Sequence, residues 1–241
     1  MNKKLILGLD IGGSKINTVV WNGKKIIDRW QSKVVSLAKI KEGLSRFPVS
    51  RVGIGVAGVL DYKSGQILNS PNIKFLEGLS LKKLFHRNIR FDNDVNCFLR
   101  AEARLGAARG YKHVLAVAMG TGIGGGIINN QTMIYSGAHG SAGEFGQMVL
   151  PDGKTWEELY RSSKGHSLTQ ARLHALAFAN LINIFDPEII ILGGGGARWP
   201  KRKLMEKLVL SPLAKKTKIV PAKLGPNAVA IGAALLWSEN K

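Results

Sequence analysis

Cysteine is nearly absent from this chain of 241 residues: Cys97 stands alone, which excludes a disulfide within the chain and fits a reducing compartment. Long hydrophobic runs are missing too. The longest, Val114 to Ile128, is broken by Gly120, Gly122, Gly124, Gly125 and Gly126, so no segment is expected to cross a membrane. The apolar run near the start reaches Asp10 too soon for a signal peptide and reads as a first strand, and the expected location is the cytoplasm. Acidic residues are scarce, 16 Asp and Glu against 35 Lys and Arg, a formal charge of +19. That field suits a polyanionic partner. The basic clusters Lys201-Arg202-Lys203 and Lys215-Lys216-Thr217-Lys218 are short, however, and carry no interleaved aromatics for a single-strand stacking groove. A solvated lysine-rich surface is the favoured reading, and a nucleic-acid partner is disfavoured.

Glycine, by contrast, is plentiful at 29 residues, and an apolar content of 45% allows a real core in one large domain or two small lobes. The glycines gather where strands should end: Asp10-Ile11-Gly12-Gly13-Ser14-Lys15, Gly120 to Gly126, Ala142-Gly143-Glu144-Phe145-Gly146, and Gly193 to Gly196. Backbone that must press against phosphate oxygens uses glycine, because a Cβ would block the approach. Between these stations lies an acidic one, Asn93-Asp94-Val95-Asn96. The opening reads as strand (Leu5–Leu9), glycine turn, strand (Lys15–Trp21), an Asn22-Gly23 hairpin turn and a third strand (Lys24–Trp30). The second half repeats this with His113–Met119, Gly126–Ile128, an Asn129-Asn130 turn and Thr132–Tyr135. Helical spacing follows at about Thr155–Ser162 and Leu168–Phe185, then a strand at Glu188–Leu192. Two such halves imply an internal duplication facing a cleft.

Familiar phosphate motifs nearly fit and fail. Gly8 to Lys15 has Gly-Ser-Lys where a P-loop needs Gly-Lys-Ser/Thr, and the β-branched run after it predicts a strand, not a helix. Gly53 to Gly58 and Gly120 to Gly125 both match Gly-x-Gly-x-x-Gly, but neither opens a helix. What remains is a hairpin that grips phosphate with backbone amides, present twice.

In this order, these residues resemble the ROK family of bacterial sugar kinases and sugar-responsive repressors. Asp10 to Lys15 and Gly120 to Gly126 resemble its two phosphate motifs, and Pro71-Asn72 and Gly143-Glu144-Phe145-Gly146 its sugar-binding segments. Asn93-Asp94 resembles the pair carrying its catalytic base, and Gly193 to Gly196 its adenosine-side glycines. The resemblance implies an α/β, actin-like (ribonuclease H-like) two-lobed ATPase fold with duplicated mixed sheets and a central cleft. One lobe would comprise residues 1–110 with 226–241, the other 111–225. It implies Asp94 as general base, although an Asp before a helical run is ordinarily an N-cap. Asn72, Asn93, Glu144, Gln147 and Glu158 are the implied sugar-side residues, Glu158 being preferred to Glu157 for the family's last acidic contact. Gly12, Gly13, Ser14, Lys15, Gly120, Thr121, Gly122, Gly194 and Gly195 are implied on the phosphate and nucleotide side. Asp10 would hold Mg²⁺, directly or through water.

The chain departs from the family in one place that matters. Many members follow the glutamate segment with Gly-His and a cysteine-rich zinc motif, whereas here Gly146 is followed by Gln147, and Met148 to Trp156 contains no cysteine. No structural zinc is expected. No N-terminal stretch is available for a helix-turn-helix, which disfavours a repressor. The implied activity is phosphorylation of a hexose, with glucose the foremost expectation. MgATP is the expected donor and polyphosphate the alternative; the resemblance allows a homodimer without fixing the oligomeric state. A sugar-binding protein without catalysis on the same fold is the other class, disfavoured by Asp94 and both phosphate loops.

Overall fold

The computed structural model describes residues 5–33, 35–85, 88–130, 134–162 and 168–238. The chain runs β1 (Ile6–Ile11), β2 (Ile16–Trp21), β3 (Ile26–Ser32), α1 (Leu37–Ser45), β4 (Arg51–Val56), β5 (Val59–Asp61), β6 (Gln66–Asn69), α2 (Leu81–Leu84), β7 (Asn88–Asn93) and α3 (Asp94–Leu105). It continues with β8 (His113–Met119), β9 (Ile123–Asn129), α4 (Trp156–Ser162), α5 (Leu168–Phe185), β10 (Ile189–Gly193), α6 (Arg202–Leu208), β11 (Lys218–Pro221) and α7 (Ala228–Leu235).

The first sheet has the order β3-β2-β1-β4-β7 and the second β11-β10-β8-β9. In each, an antiparallel hairpin (β1–β2, β8–β9) is extended by two parallel strands (β4 and β7, β10 and β11). Read from its hairpin edge, β9-β8-β10-β11 repeats β2-β1-β4-β7 in order and direction. This is the duplicated, actin-like topology that the sequence implies. The predicted third strand of the second half, Thr132–Tyr135, falls partly outside the described residues. Ile134 and Tyr135 form no strand, although the Tyr135 N–H donates to the Ile127 carbonyl at 2.8 Å. Between β4 and β7, β5 and β6 form a separate hairpin that sequence patterning does not reveal, its turn passing through Gly65 at φ +74°.

Both sheets are covered on each face, which is why β1 and β2 are buried along their whole length. On the outer faces, Ile40 and Leu44 of α1 cover the first sheet, while Trp156, Phe178 and Met205 of α4 to α6 cover the second. The inner faces share one core built around α3 and α7. Glycine sets the spacing here. Gly8 and Gly53 let the backbone of α7 lie directly on the first sheet, because a Cβ on either would collide with the carbonyls of Ala230 and Ala233. Gly126 and Gly193 give the same room to Leu99 and Phe98 of α3 on the second sheet. The two helices therefore clamp the sheets together, and the glycine hairpins project from one end of this sandwich. Among the described residues no helix is long and apolar enough to cross a membrane.

Candidate active site

Between the hairpins opens a cleft of about 550 Å³. Gly13, Gly58, Tyr62, Asn72, Asn93 and Asp94 line it from the first sheet's side. Gly120 to Gly125, Glu144, Gln147, Glu157 and Gly194 line it from the second's. Asn72, Asn93, Asp94, Glu144, Gln147, Gly13, Gly120, Thr121, Gly122 and Gly194 thus meet in one place, although they come from distant parts of the sequence.

Asp94 is the first residue of α3, and capping falls to its neighbour. The Asn93 side-chain oxygen accepts from the N–H groups of Val95 (2.8 Å) and Asn96 (3.4 Å), and its Nδ2 donates to the Gly58 carbonyl (3.0 Å). Asn93 thus caps α3 with its side-chain oxygen and ties it to Gly58 with one Nδ2 hydrogen, while it lines the cleft where the family resemblance implies a sugar contact. Asp94 is left to face the cleft, its Oδ1 accepting the adjacent Val95 N–H (3.0 Å). Burial pushes its pKa up to about 6, against that hydrogen bond and helped by the charges of Glu144 and Asp92.

Behind it, Asp92 anchors the start of the helix. Its Oδ1 accepts from the Tyr62 hydroxyl (2.8 Å) and Asn96 Nδ2 (2.9 Å), and its Oδ2 pairs with Arg100 at 2.7 Å. Tyr62 and Asp92 are missed by motif reading. The available signal is a carboxylate two residues before Asp94 with an arginine eight residues after that carboxylate, nearly two turns into the helix on its buried side.

On the opposite wall the structure corrects the choice of glutamate. Glu158 is turned away from the cleft. Its carboxylate accepts from the Thr155 N–H (2.7 Å) while its own N–H donates to the Thr155 hydroxyl (3.1 Å), a reciprocal capping box at the start of α4. Glu157 faces the cleft instead, accepting from the Ile123 N–H (2.7 Å) and pairing with Arg161 at 2.9 Å. Partial desolvation, and then the charge of Glu157, raise the pKa of Glu144.

The phosphate hairpins differ in detail from the expected cradle. The Gly12 N–H closes its own turn on the Lys15 carbonyl (3.0 Å), and the Gly120 N–H closes on that of Gly122 (2.9 Å). The amides of Gly13, Ser14, Thr121 and Gly122 make no backbone hydrogen bond among the described residues. Gly194, at φ +91°, rests on the Met119 carbonyl, while Gly195 faces open space.

That twin-hairpin cleft with an uncapped carboxylate at its floor coincides with a family match over almost the whole chain. The ROK family model matches residues 6–159 and 161–240. The chain belongs to the ROK family. It is 29% identical to N-acetyl-D-glucosamine kinase of Haemophilus influenzae, over 95% of this chain and 98% of that protein. Among solved structures it resembles a ROK family glucokinase from Streptomyces griseus, in complex with glucose and AMPPNP, at a TM-score of 0.82. The identity there is 26%, over 96% of this chain and 98% of that one. A ROK hexokinase from Thermus thermophilus matches at a TM-score of 0.72 and 25% identity, over 96% and 97%.

Where many ROK members carry the zinc motif, this chain has a short turn closed by its own backbone. Leu150 N–H donates to the Lys154 carbonyl (2.9 Å), Gly153 N–H to the Leu150 carbonyl (2.9 Å), and Val149 bridges Thr155. The buried Leu150 and Trp156 fix it to the second sheet's outer core. Elemental analysis of purified protein is expected to find zinc far below stoichiometry, and one zinc per chain would contradict this.

The Mg²⁺ position in the ROK pattern falls on Asp10, and the residues fit. Asp10 lies at the end of β1, 5% exposed, and its carboxylate makes no hydrogen bond among the described residues. Burial, and then the charge of Asp94, raise its pKa to about 7, with Lys15 opposing. No cluster of three His, Cys, Asp or Glu among the described residues holds a metal by itself. A single carboxylate supplemented by substrate phosphates is the usual way Mg²⁺ is bound. The raised values also have a consequence for stability. Asp10 and Asp94 favour their protonated forms in the fold, so the stability they give is full below about pH 4 and is lost as pH rises through 6 and 7. In magnesium-free protein, Asp10→Asn is expected to raise the melting temperature at pH 8, the difference closing towards pH 4. The gain is at most about 4 kcal/mol, three pKa units at 1.36 kcal/mol each. An Asp10→Asn variant less stable than wild type at pH 8 would contradict the burial argument.

Proposed function

We propose that this chain is a cytoplasmic sugar kinase that transfers the terminal phosphoryl group of MgATP to a hydroxyl of a hexose, glucose or N-acetylglucosamine. The observation that carries the reading is Asp94. It is relieved of capping by Asn93, held near neutrality by burial, and set on the floor of a cleft between two glycine hairpins. In this reading the sugar oxygen attacks the γ-phosphorus and a new O–P bond forms. The bond from that phosphorus to the bridging oxygen breaks, its electron pair leaves with ADP, and the hydroxyl proton passes to an Asp94 oxygen. Glu144, Gln147 and Asn72 hold the other hydroxyls and choose which oxygen faces the phosphate. The amides of Gly13, Ser14, Thr121 and Gly122 cradle the phosphates, with Lys15 adding charge near Asp10. Asp10 would hold Mg²⁺, which when bound would supply charge neutralisation and alignment.

Polyphosphate as donor is the second reading. The surplus of basic residues favours it, since hairpin amides recognise phosphate and not the nucleobase. The test is a panel of hexoses and N-acetylhexosamines offered with MgATP and with polyphosphate separately, following donor consumption. Turnover dependent on one sugar supports a kinase and names both substrates. Sugar binding without consumption of either donor would make the protein a sensor on a kinase fold.

A further inference from the structure

The cleft gathers negative charge. Asp94, Glu144 and Glu157 face it, and among the described residues no Lys or Arg is part of its lining. A phosphoryl group carrying developing charge needs a cation there besides a metal. Arg161 stands at the rim. It lies in the last turn of α4, and its Nη2 donates to Asn72 Oδ1 at 3.2 Å while pairing with Glu157 Oε1 at 2.9 Å. Asn72 sits against the first phosphate hairpin, since a Cβ at Gly13 would stand 2.7 Å from the Asn72 Cβ. A Cβ at Gly122, in the second hairpin, would stand 3.2 Å from Arg161 Nη2. The guanidinium therefore spans the gap between the two hairpins, where the transferred group must pass. Both of its contacts use Nη2. Among the described residues Nε and Nη1 have no partner, and the side chain keeps 43% of its surface exposed.

We propose that Arg161 clamps the γ-phosphoryl group during transfer. With sugar and nucleotide in the cleft, Nη1 donates to a phosphoryl oxygen while Nη2 stays on Glu157 and Asn72, and the guanidinium charge balances the charge that builds there. Glu157 is the anchor that aims it, and so serves the phosphate before the sugar. This rests on the sugar-kinase reading. An arginine suits the task because it keeps a free donor and a permanent charge while another of its nitrogens is anchored, which a single lysine ammonium cannot do. Arginines that stabilise phosphoryl transfer elsewhere contribute factors of about 10³ to 10⁵. The half-exposed position of this one points to a smaller factor, about 10²- to 10³-fold.

The competing role is mechanical: Arg161 could merely tie Asn72 to Glu157 and hold the cleft closed. Binding separates the two. For Arg161→Met we expect kcat to fall about 10²-fold or more, with partial recovery in Arg161→Lys. The Kd for the sugar alone and for MgADP should stay within about threefold of wild type, while that for a non-hydrolysable MgATP analogue should weaken about tenfold. A kcat within about threefold of wild type would overturn the proposal, as would equal weakening of the diphosphate and triphosphate. If the wild type turns over no sugar, the kinase reading fails by itself. The two nucleotide affinities then still decide Arg161: selective loss of the triphosphate supports the clamp, and uniform affinities overturn it. Should Arg161→Met fail to fold, the same pair of affinities is read in Arg161→Lys.

Discussion

Replacing Asp94 by Asn is expected to lower kcat by about 10³-fold while the sugar's Kd changes little, because a positioned general base contributes about 10² to 10⁴. The substitution keeps the shape of the residue and the hydrogen bond from the Val95 N–H, and the cap of α3 is untouched because Asn93 supplies it. What is lost is the ability to take a proton. A structural role would give the opposite pattern, with a lowered melting temperature and activity falling only in proportion to folded protein. The pH profile gives an independent reading. With a pKa of about 6, Asp94 must be ionised to act, so kcat/KM should rise with pH and level off above about 6. The negative charge of Glu144 helps to hold that pKa up. In Glu144→Gln the rising limb should therefore move to lower pH, even though sugar binding weakens. A limb that stays in place would show that Asp94 is not the group titrating.

Gly232→Ala should cost about 3 kcal/mol or more of stability, the larger effect expected on the fold. Alanine is normally the better helix residue by about 1 kcal/mol, so the sign is reversed. The reason is the contact between α3 and α7. A Cβ on Gly232 would collide with the carbonyl of Cys97, and both partners are backbone of buried helices that cannot rotate away as a side chain would. Either helix would have to lift from the sheet on which Gly8, Gly53, Gly126 and Gly193 seat it. Gly195→Ala is the control, since nothing lies near its Cβ position, and its denaturation midpoint should match wild type. Equal midpoints for all three proteins would mean that the helix pair is looser than its geometry shows.

What could be read from the sequence was local. The β1–β2 and β8–β9 hairpins are marked by β-rich runs on both sides of glycine turns, and Asn22-Gly23 closes the next turn with Gly23 at φ +89°. The β5–β6 hairpin escaped because strands of three and four residues are too short to show alternation. The partner of α7 escaped for a different reason. Only the fold says that the surfaces its small residues meet are Gly8, Gly53 and α3.

In the site, most residues named from the order of the motifs line one cleft, and the geometry departs from the reading where neighbours compete for one task. Asn93 and Asp94 are both acceptable caps, and geometry gives the cap to Asn93. Glu157 and Glu158 differ by about 100° around a helix, so choosing between them needs the helix start. Thr155-Trp156-Glu157-Glu158 carries that information as a Thr-x-x-Glu capping box, a signal present in the sequence that assigns Glu158 to the cap. Arg161 had no such signal, because its meaning depends on Gly122 and Asn72 meeting across the cleft.

The most direct test follows the phosphorus. Wild type and Asp94→Asn would be given γ-³²P-labelled ATP, Mg²⁺ and the best sugar of the panel, and the label located after a fixed time. The account predicts label on a hexose phosphate in equal amount to the ADP formed, with the mutant transferring almost none. Label found only in inorganic phosphate, or remaining in ATP while the sugar binds, would contradict phosphoryl transfer to sugar as the function of this cleft.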